Sequence, residues 1–147
     1  MRALIQRVKK ASVAVNGKQV SSIGCGVLVL LGVESSDSDT EIKWLAKKIC
    51  NLRVFNNDDE VMDRSLLDVA GECLVVSQFT LCADCRKGNR PSWSRAATAD
   101  FAREVYEKFI QEVKNIGVDV YAGQFQANMQ VSLINDGPVT IMLDTKE

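Results

Sequence analysis

Residues 26–33 read GVLVLLGV, and five residues later Ser38-Asp39-Thr40-Glu41 opens the run SDTEIKWLAKKIC (38–50). The first run has no polar alternation, so its strand is predicted to be covered on both faces, which requires a second layer above the sheet. The second run supplies that layer. Its S-x-x-E spacing is that of a capping box, and Ile42, Leu45, Ala46, Ile49 and Cys50 follow at i, i+3, i+4, i+7 and i+8, the spacing of an amphipathic helix.

Working outward, Arg2–Val8 and Ser12–Val15 read as strands, with Asn16-Gly17 as a hairpin signal because both residues accept positive φ. Downstream, Cys73-Leu74-Val75-Val76 is a second buried strand that is expected to run straight on into Ser77-Gln78-Phe79-Thr80-Leu81. Polar residues at the end of a buried strand mark a candidate site. A second helix is predicted from about Ala99 to Ile116, with Ala102, Val105, Phe109, Val113 and Ile116 on one stripe and Gly117 as terminator. Val118–Tyr121, Met129–Ile134 and Val139–Leu143 complete the strands, the last two expected to form a hairpin around Asn135-Asp136-Gly137-Pro138. The pattern is that of one domain, residues 1–147, of α/β or α+β class: a mixed sheet or half-barrel covered by two helices.

Composition narrows the chemistry. Eighteen Lys and Arg stand against 19 Asp and Glu, which leaves room for a local basic patch but not for a polycationic mode of nucleic-acid binding. The chain has no histidine, so the usual general base, any Ser-His-Asp or Cys-His arrangement and any imidazole zinc site are excluded. Five cysteines, an odd number, and an N-terminal segment without the apolar core of a signal peptide predict a reducing, cytoplasmic location. The longest apolar run is far short of a membrane span. Cys82-Ala83-Asp84-Cys85 has C-x-x-C spacing, but no second pair completes a metal site and no helix is expected to follow it, so the cysteines are read as incidental and no metal or cofactor is expected.

Arg86, Lys87, Arg90 and Arg95 cluster around Gly88, Pro91 and Trp93, either as a solvated loop or as a collar that grips phosphates without reading bases. Pro138 is also unusual, since an Asp-Gly turn normally hands over to a donor-bearing strand residue and proline cannot donate.

VSQFTL (76–81), RKGNRPSW (86–93) and MQVSLINDGPVT (129–140), in this order and behind the opening MRALIQRV and GVLVLLGVE, resemble the D-aminoacyl-tRNA deacylase family over residues 1 to about 143. The resemblance implies a cytoplasmic homodimer that hydrolyses the ester between a D-amino acid, or misattached glycine, and the 3′-terminal ribose of tRNA. It implies that Ser77, Gln78, Phe79 and Thr80 form the floor of the aminoacyl pocket. It further implies that Gly137-Pro138 is cis and enters the partner subunit's pocket to reject L-aminoacyl groups, that Arg7 holds this loop, and that Phe125 and Met129 contact the terminal adenine. Neither DNA nor membrane is an expected partner. Cys82, Cys85, Trp93 and Met62-Asp63 depart from the family's usual residues at peripheral positions.

An aminoacyl ester is already activated, so its hydrolysis chiefly needs positioning and oxyanion stabilisation, which backbone amides near Phe79 and Thr80 can supply. A Thr80 nucleophile is the alternative, but no His, Lys or carboxylate occurs within residues 77–81 to activate it. The resemblance instead implies assistance by the 2′-hydroxyl of the substrate. Other readings of the chain are an RNA-binding module without catalysis and a homodimeric structural domain.

Overall fold

The computed structural model describes residues 1–147. Strands β1 (Arg2–Val15), β2 (Lys18–Ile23) and β3 (Gly26–Gly32) are followed by helix α1 (Asp39–Asn51), strand β4 (Glu72–Ser77), helix α2 (Ala99–Ile116) and strands β5 (Asp119–Ala122) and β6 (Met129–Asp144). The sheet order is β2-β1-β3-β4-β5, with β6 paired to β1. β1 is antiparallel to β2, β3 and β6, whereas β3, β4 and β5 run parallel. This mixed, curled sheet with two helices is the expected half-barrel architecture. No helix is long and apolar enough to cross a membrane.

The unbroken apolar run of β3 is buried from both sides, and its two faces meet different neighbours. Val27, Val29 and Leu31 belong to the main core with Leu45, Ile49, Val105, Phe109 and Val113 of the helices. Leu28 points the other way, into a second cluster with Val8, Val13, Ile23, Leu74 and Val76, against which Met129, Val131 and Leu133 of β6 pack. Helices cover one face and the curl of the sheet covers the other. Gly26 is needed where β3 meets β4, because a Cβ there would lie 1.9 Å from the Glu72 carbonyl oxygen.

Local signals act as read. Ser38 Oγ accepts from Thr40 N at 3.3 Å and Ser38 N donates to Glu41 Oε2 at 2.8 Å, closing the capping box of α1. The Ser38 hydroxyl also donates to Glu41 Oε2 at 2.5 Å, and this bond, with those from the Glu41 and Ser38 backbone N–H groups, holds the Glu41 carboxyl below its ordinary value. α2 ends at Gly117 in the left-handed region, φ 108°, with its N–H returned to Lys114 and Val113 carbonyls.

Three expectations are corrected. Arg2–Val8 and Ser12–Val15 are one strand, because both halves pair with β6 along its length. Ser77 to Leu81 is not continuous strand: β4 ends at Ser77, Gln78 N donates to Leu31 O at 2.7 Å, and the chain then coils into a 3₁₀ turn over Phe79–Cys82.

The third correction concerns the tail. Met129–Ile134 and Val139–Leu143 do not form a hairpin but are two stretches of the single strand β6. Gln6 faces Thr140 and Val8 faces Asn135, so residues 136–139 are an excursion opposite Arg7. The Asn135 side chain closes its base, donating to Val139 O at 3.1 Å and Thr140 Oγ1 at 3.0 Å and accepting from Val139 N at 2.7 Å. The turn residues thus push a loop out of a strand that resumes on the same partner.

Candidate active site

A cavity of about 550 Å³ opens where β4 ends. Ser77, Gln78 and Phe79 form one side, Ala97, Ala99 and Ala102 at the start of α2 another, and residues 125–129 with Val131 the third. Small residues at the start of α2 leave the space, and the parallel pairing of β4 with β5 brings the Phe125–Met129 segment beside the strand end. Its lining holds no ionisable side chain.

The 3₁₀ turn is fixed from below. Arg2 donates from Nη1 to Leu81 O at 3.0 Å and from Nε to Asp144 Oδ2 at 2.8 Å, tying the turn to the end of β6. Glu34, 2% exposed, stands beneath with Lys146 as its ion-pair partner and with Arg2 and Arg95 each 3.9 Å away. Leu81 N and Ala83 N close the turn on Gln78 O and Thr80 O, and the leading amides of such a turn have no partner within it. Gln78 Nε2 donates to Thr80 Oγ1. Phe79 is exposed and faces Trp93 at 5.7 Å between ring centroids.

Phe125 lies between Tyr106, 5.7 Å away, and the Arg103 guanidinium, 4.9 Å from its ring centroid. Tyr106 donates its hydroxyl to Val75 O at 2.8 Å, and burial pushes its pKa up, so it remains a donor. Arg103 also donates to Gln126 Oε1 at 3.0 Å. Two residues that shape the site, Arg103 and Arg2, carry no sequence signal of that role. Arg103 falls on the α2 pattern as an ordinary exposed position, and Arg2 reads as a strand residue whose charge could extend the basic surface of the 86–95 loop, not as a support of the turn.

Of the predicted residues, Ser77, Gln78, Phe79, Phe125 and Met129 meet at the cavity, while Thr80 lies in the turn just outside it. Arg86 is held by Asp84, with Arg86 Nη2 to Asp84 Oδ2 at 2.5 Å, and this partner keeps the Asp84 carboxyl well below its usual range. Lys87 and Arg90 are exposed in the loop closed by the Asp84–Ser92 pairing, and Arg95 leans toward Glu34. Cys82 is buried with its thiol toward Val33 O, and Cys85 is exposed.

Gly137-Pro138 is a cis peptide, and neither residue lines the cavity of its own chain. The excursion is gripped by Arg7, 8% exposed, which donates from Nε to Asp136 O at 2.8 Å and from Nη1 to Val54 O at 2.5 Å. Gly137 has φ 146°, and a Cβ there would lie 2.9 Å from Val139 N and 3.1 Å from Arg7 Nη2.

Residues 4–144 match the family model described as D-Tyr-tRNA(Tyr) deacylase. A protein of Thermosipho africanus named D-aminoacyl-tRNA deacylase is 56% identical over 147 residues, covering 100% of this chain and 99% of the relative. One of the same name from Desulfotalea psychrophila is 54% identical with the same coverage. Among solved structures, "c-Myc DNA Unwinding Element Binding Protein" superposes with a TM-score of 0.95 at 40% identity, covering 99% of each chain. "Structural Analysis of a probable eukaryotic D-amino acid tRNA deacylase" superposes at 0.85 and 19% identity over 97% of each chain, a likeness of fold. With the family's pattern running from β1 to the end of β6 and more than half of all positions shared with full-length relatives, the chain belongs to the D-Tyr-tRNA(Tyr) deacylase family.

Proposed function

We propose that this protein hydrolyses the ester of D-aminoacyl-tRNA, and of glycyl-tRNA, and that it does so as a homodimer. The observation that carries the reading is a cavity with no ionisable group beside a strand end whose leading turn amides are left as donors. Such a site suits an ester, because an activated acyl group needs an oxyanion partner more than a strong base. The 2′-hydroxyl of the terminal ribose orients the water, Phe125 and Met129 hold the terminal adenine, and the amides of Phe79 and Thr80 receive the oxyanion. Thr80 Oγ1 is engaged by Gln78 and has no base beside it, which favours a lining role over a nucleophilic one.

Chiral selection rests on Gly137-Pro138 entering the partner subunit's cavity. A backbone wall where an L side chain would point rejects that isomer by collision, leaving D-aminoacyl and glycyl groups acceptable. Two features support the cross-subunit arrangement: the excursion is rigidly held yet lies outside its own chain's cavity, and the 16-residue β6 pairs only with β1, leaving a long sheet edge to be covered. Lys87, Arg90 and, on rearrangement of their ion pairs, Arg86 and Arg95 contact tRNA phosphates.

The test is ester loss from D-Tyr-tRNA and L-Tyr-tRNA with purified protein, alongside sedimentation. Selective release of D-tyrosine by a species of twice the 16.2 kDa chain mass is expected. Binding of tRNA without turnover refutes the hydrolase in favour of an RNA-binding module, and full activity in a monomer refutes the shared site.

A further inference from the structure

α1 buries Ile42, Leu45, Ala46, Ile49 and Cys50 and turns Trp44, Lys47, Lys48 and Asn51 outward at i, i+3, i+4 and i+7. Trp44 is 43% exposed although it is among the largest apolar side chains in the molecule. Lys48 Nζ sits 5.7 Å from its ring centroid. A shallow groove runs from Trp44 past Lys47 and Lys48 to Arg53, and no carboxylate lines it. Arg53 is turned away to Asp63, but neither Lys47 nor Lys48 meets an anionic partner. Two unneutralised ammonium groups beside a flat aromatic face form the surface that a phosphate backbone with unstacked nucleotides requires.

The position of this groove gives it a role. The end of α1 passes through Leu52 and Arg53 to Val54, whose carbonyl accepts from the same Arg7 guanidinium that holds Asp136 O. Groove and excursion are therefore clamped together at one end of the protomer. On the proposed reading the excursion enters the partner's cavity, and the groove then lies at the end of the protomer that meets that cavity.

We propose that the Trp44–Lys48 groove of one protomer carries the phosphate backbone of the tRNA acceptor end whose 3′ terminus occupies the partner subunit's cavity. The inference rests on the deacylase reading and extends its substrate contacts from the terminal nucleoside to the stem. Lysines here act as point charges and supply affinity without sequence preference, as an enzyme acting on many tRNAs needs. Trp44 offers a stacking face to an unpaired nucleotide.

The test compares D-Tyr-tRNA with D-tyrosine esterified to adenosine, which carries no phosphate, using wild type and the Lys47→Glu/Lys48→Glu variant. Without these two ammonium–phosphate pairs, the log-log salt dependence of KM for the tRNA should flatten by about 1.4–1.8 and KM at low salt should rise roughly tenfold. The kinetics of the adenosine ester should stay unchanged. Trp44→Ala should raise KM for the tRNA with its salt slope intact. Unchanged tRNA kinetics, or equal changes on both substrates, would overturn the proposal while leaving the deacylase reading standing. Wild-type protein that cleaved neither substrate would overturn both. Mixed dimers with one cavity filled by Ala102→Trp assign the subunit: charge reversal on the protomer with the filled cavity should raise KM, and an effect seen only on the other protomer would refute the cross-subunit path.

Discussion

Replacing Arg7 by alanine removes the clamp between the β6 excursion and the end of α1. Its guanidinium makes two short hydrogen bonds, to Val54 O at 2.5 Å and Asp136 O at 2.8 Å, and a longer one to Asn56 Oδ1 at 3.4 Å. Hydrogen bonds to a charged group are worth roughly 1.5–3 kcal/mol each, so the short pair sets a scale of about 3–6 kcal/mol. Water can replace the donor on the solvent side, near Asp136, and the net cost falls to about 2–4 kcal/mol. If about 1–2 kcal/mol of this falls on placement of the excursion, Gly137-Pro138 leaves its position about five- to thirtyfold more often. Hydrolysis of L-Tyr-tRNA should rise by that factor while D-Tyr-tRNA hydrolysis changes less, and the urea midpoint at fixed protein concentration should fall. Arg7→Lys, which keeps the charge but cannot fork to two carbonyls, should lie between. An Arg7→Ala protein with a lowered urea midpoint and an unaltered D-to-L ratio would refute the claim that this clamp positions a chiral wall.

Gly137→Ala places a Cβ 2.9 Å from Val139 N in a backbone region that costs non-glycine residues about 1–3 kcal/mol, so selectivity should fall without loss of the fold, as read by the D-to-L ratio and circular dichroism. Thr80→Ala should retain substantial turnover, whereas a 2′-deoxy terminal adenosine should be cleaved far more slowly; an acyl-enzyme trapped on Thr80 would reverse this assignment. Burial pushes the Cys50 thiol up to about 11, and raises Cys73 and Tyr106 further. Below their ordinary values these groups are protonated whether the chain is folded or not, so their contribution is complete there and is lost as pH rises through the folded value, from the ordinary thiol value for Cys50 and Cys73 and from the higher phenol value for Tyr106. Thermal unfolding followed between pH 8 and 11 should show stability falling by about 1.4 kcal/mol per unit for each thiol, less steeply in Cys50→Ala.

Elements whose cause is local were legible in the sequence. The capping box at Ser38, the glycine stop at 117 and the unbroken apolar run of β3 act through neighbours a few residues apart, and each lies where its pattern places it. The path of the tail was not legible, because Asn-Asp-Gly-Pro carries turn chemistry whether the chain reverses or merely leaves its strand and returns. Only pairing with β1, some 130 residues away, decides between them. The same holds at Ser77–Leu81, where the amide of Gln78 donates to the Leu31 carbonyl and the backbone then coils under Arg2. For the site, polar residues at a strand end pointed to one side of the cavity. Arg103 and Arg2 act through a ring and a carbonyl distant in sequence and left no pattern of their own.

A cavity lined without a single ionisable side chain also has no titration of its own. Across the range in which histidine-based hydrolases gain and lose their base, nothing in this lining changes charge. On the proposed reading, the pH response of turnover belongs to the substrate, through its α-ammonium and the water that attacks it. Removal of mischarged residues then keeps pace with the intrinsic lability of the ester in a cell whose pH drifts, rather than with the protonation state of the protein that performs it.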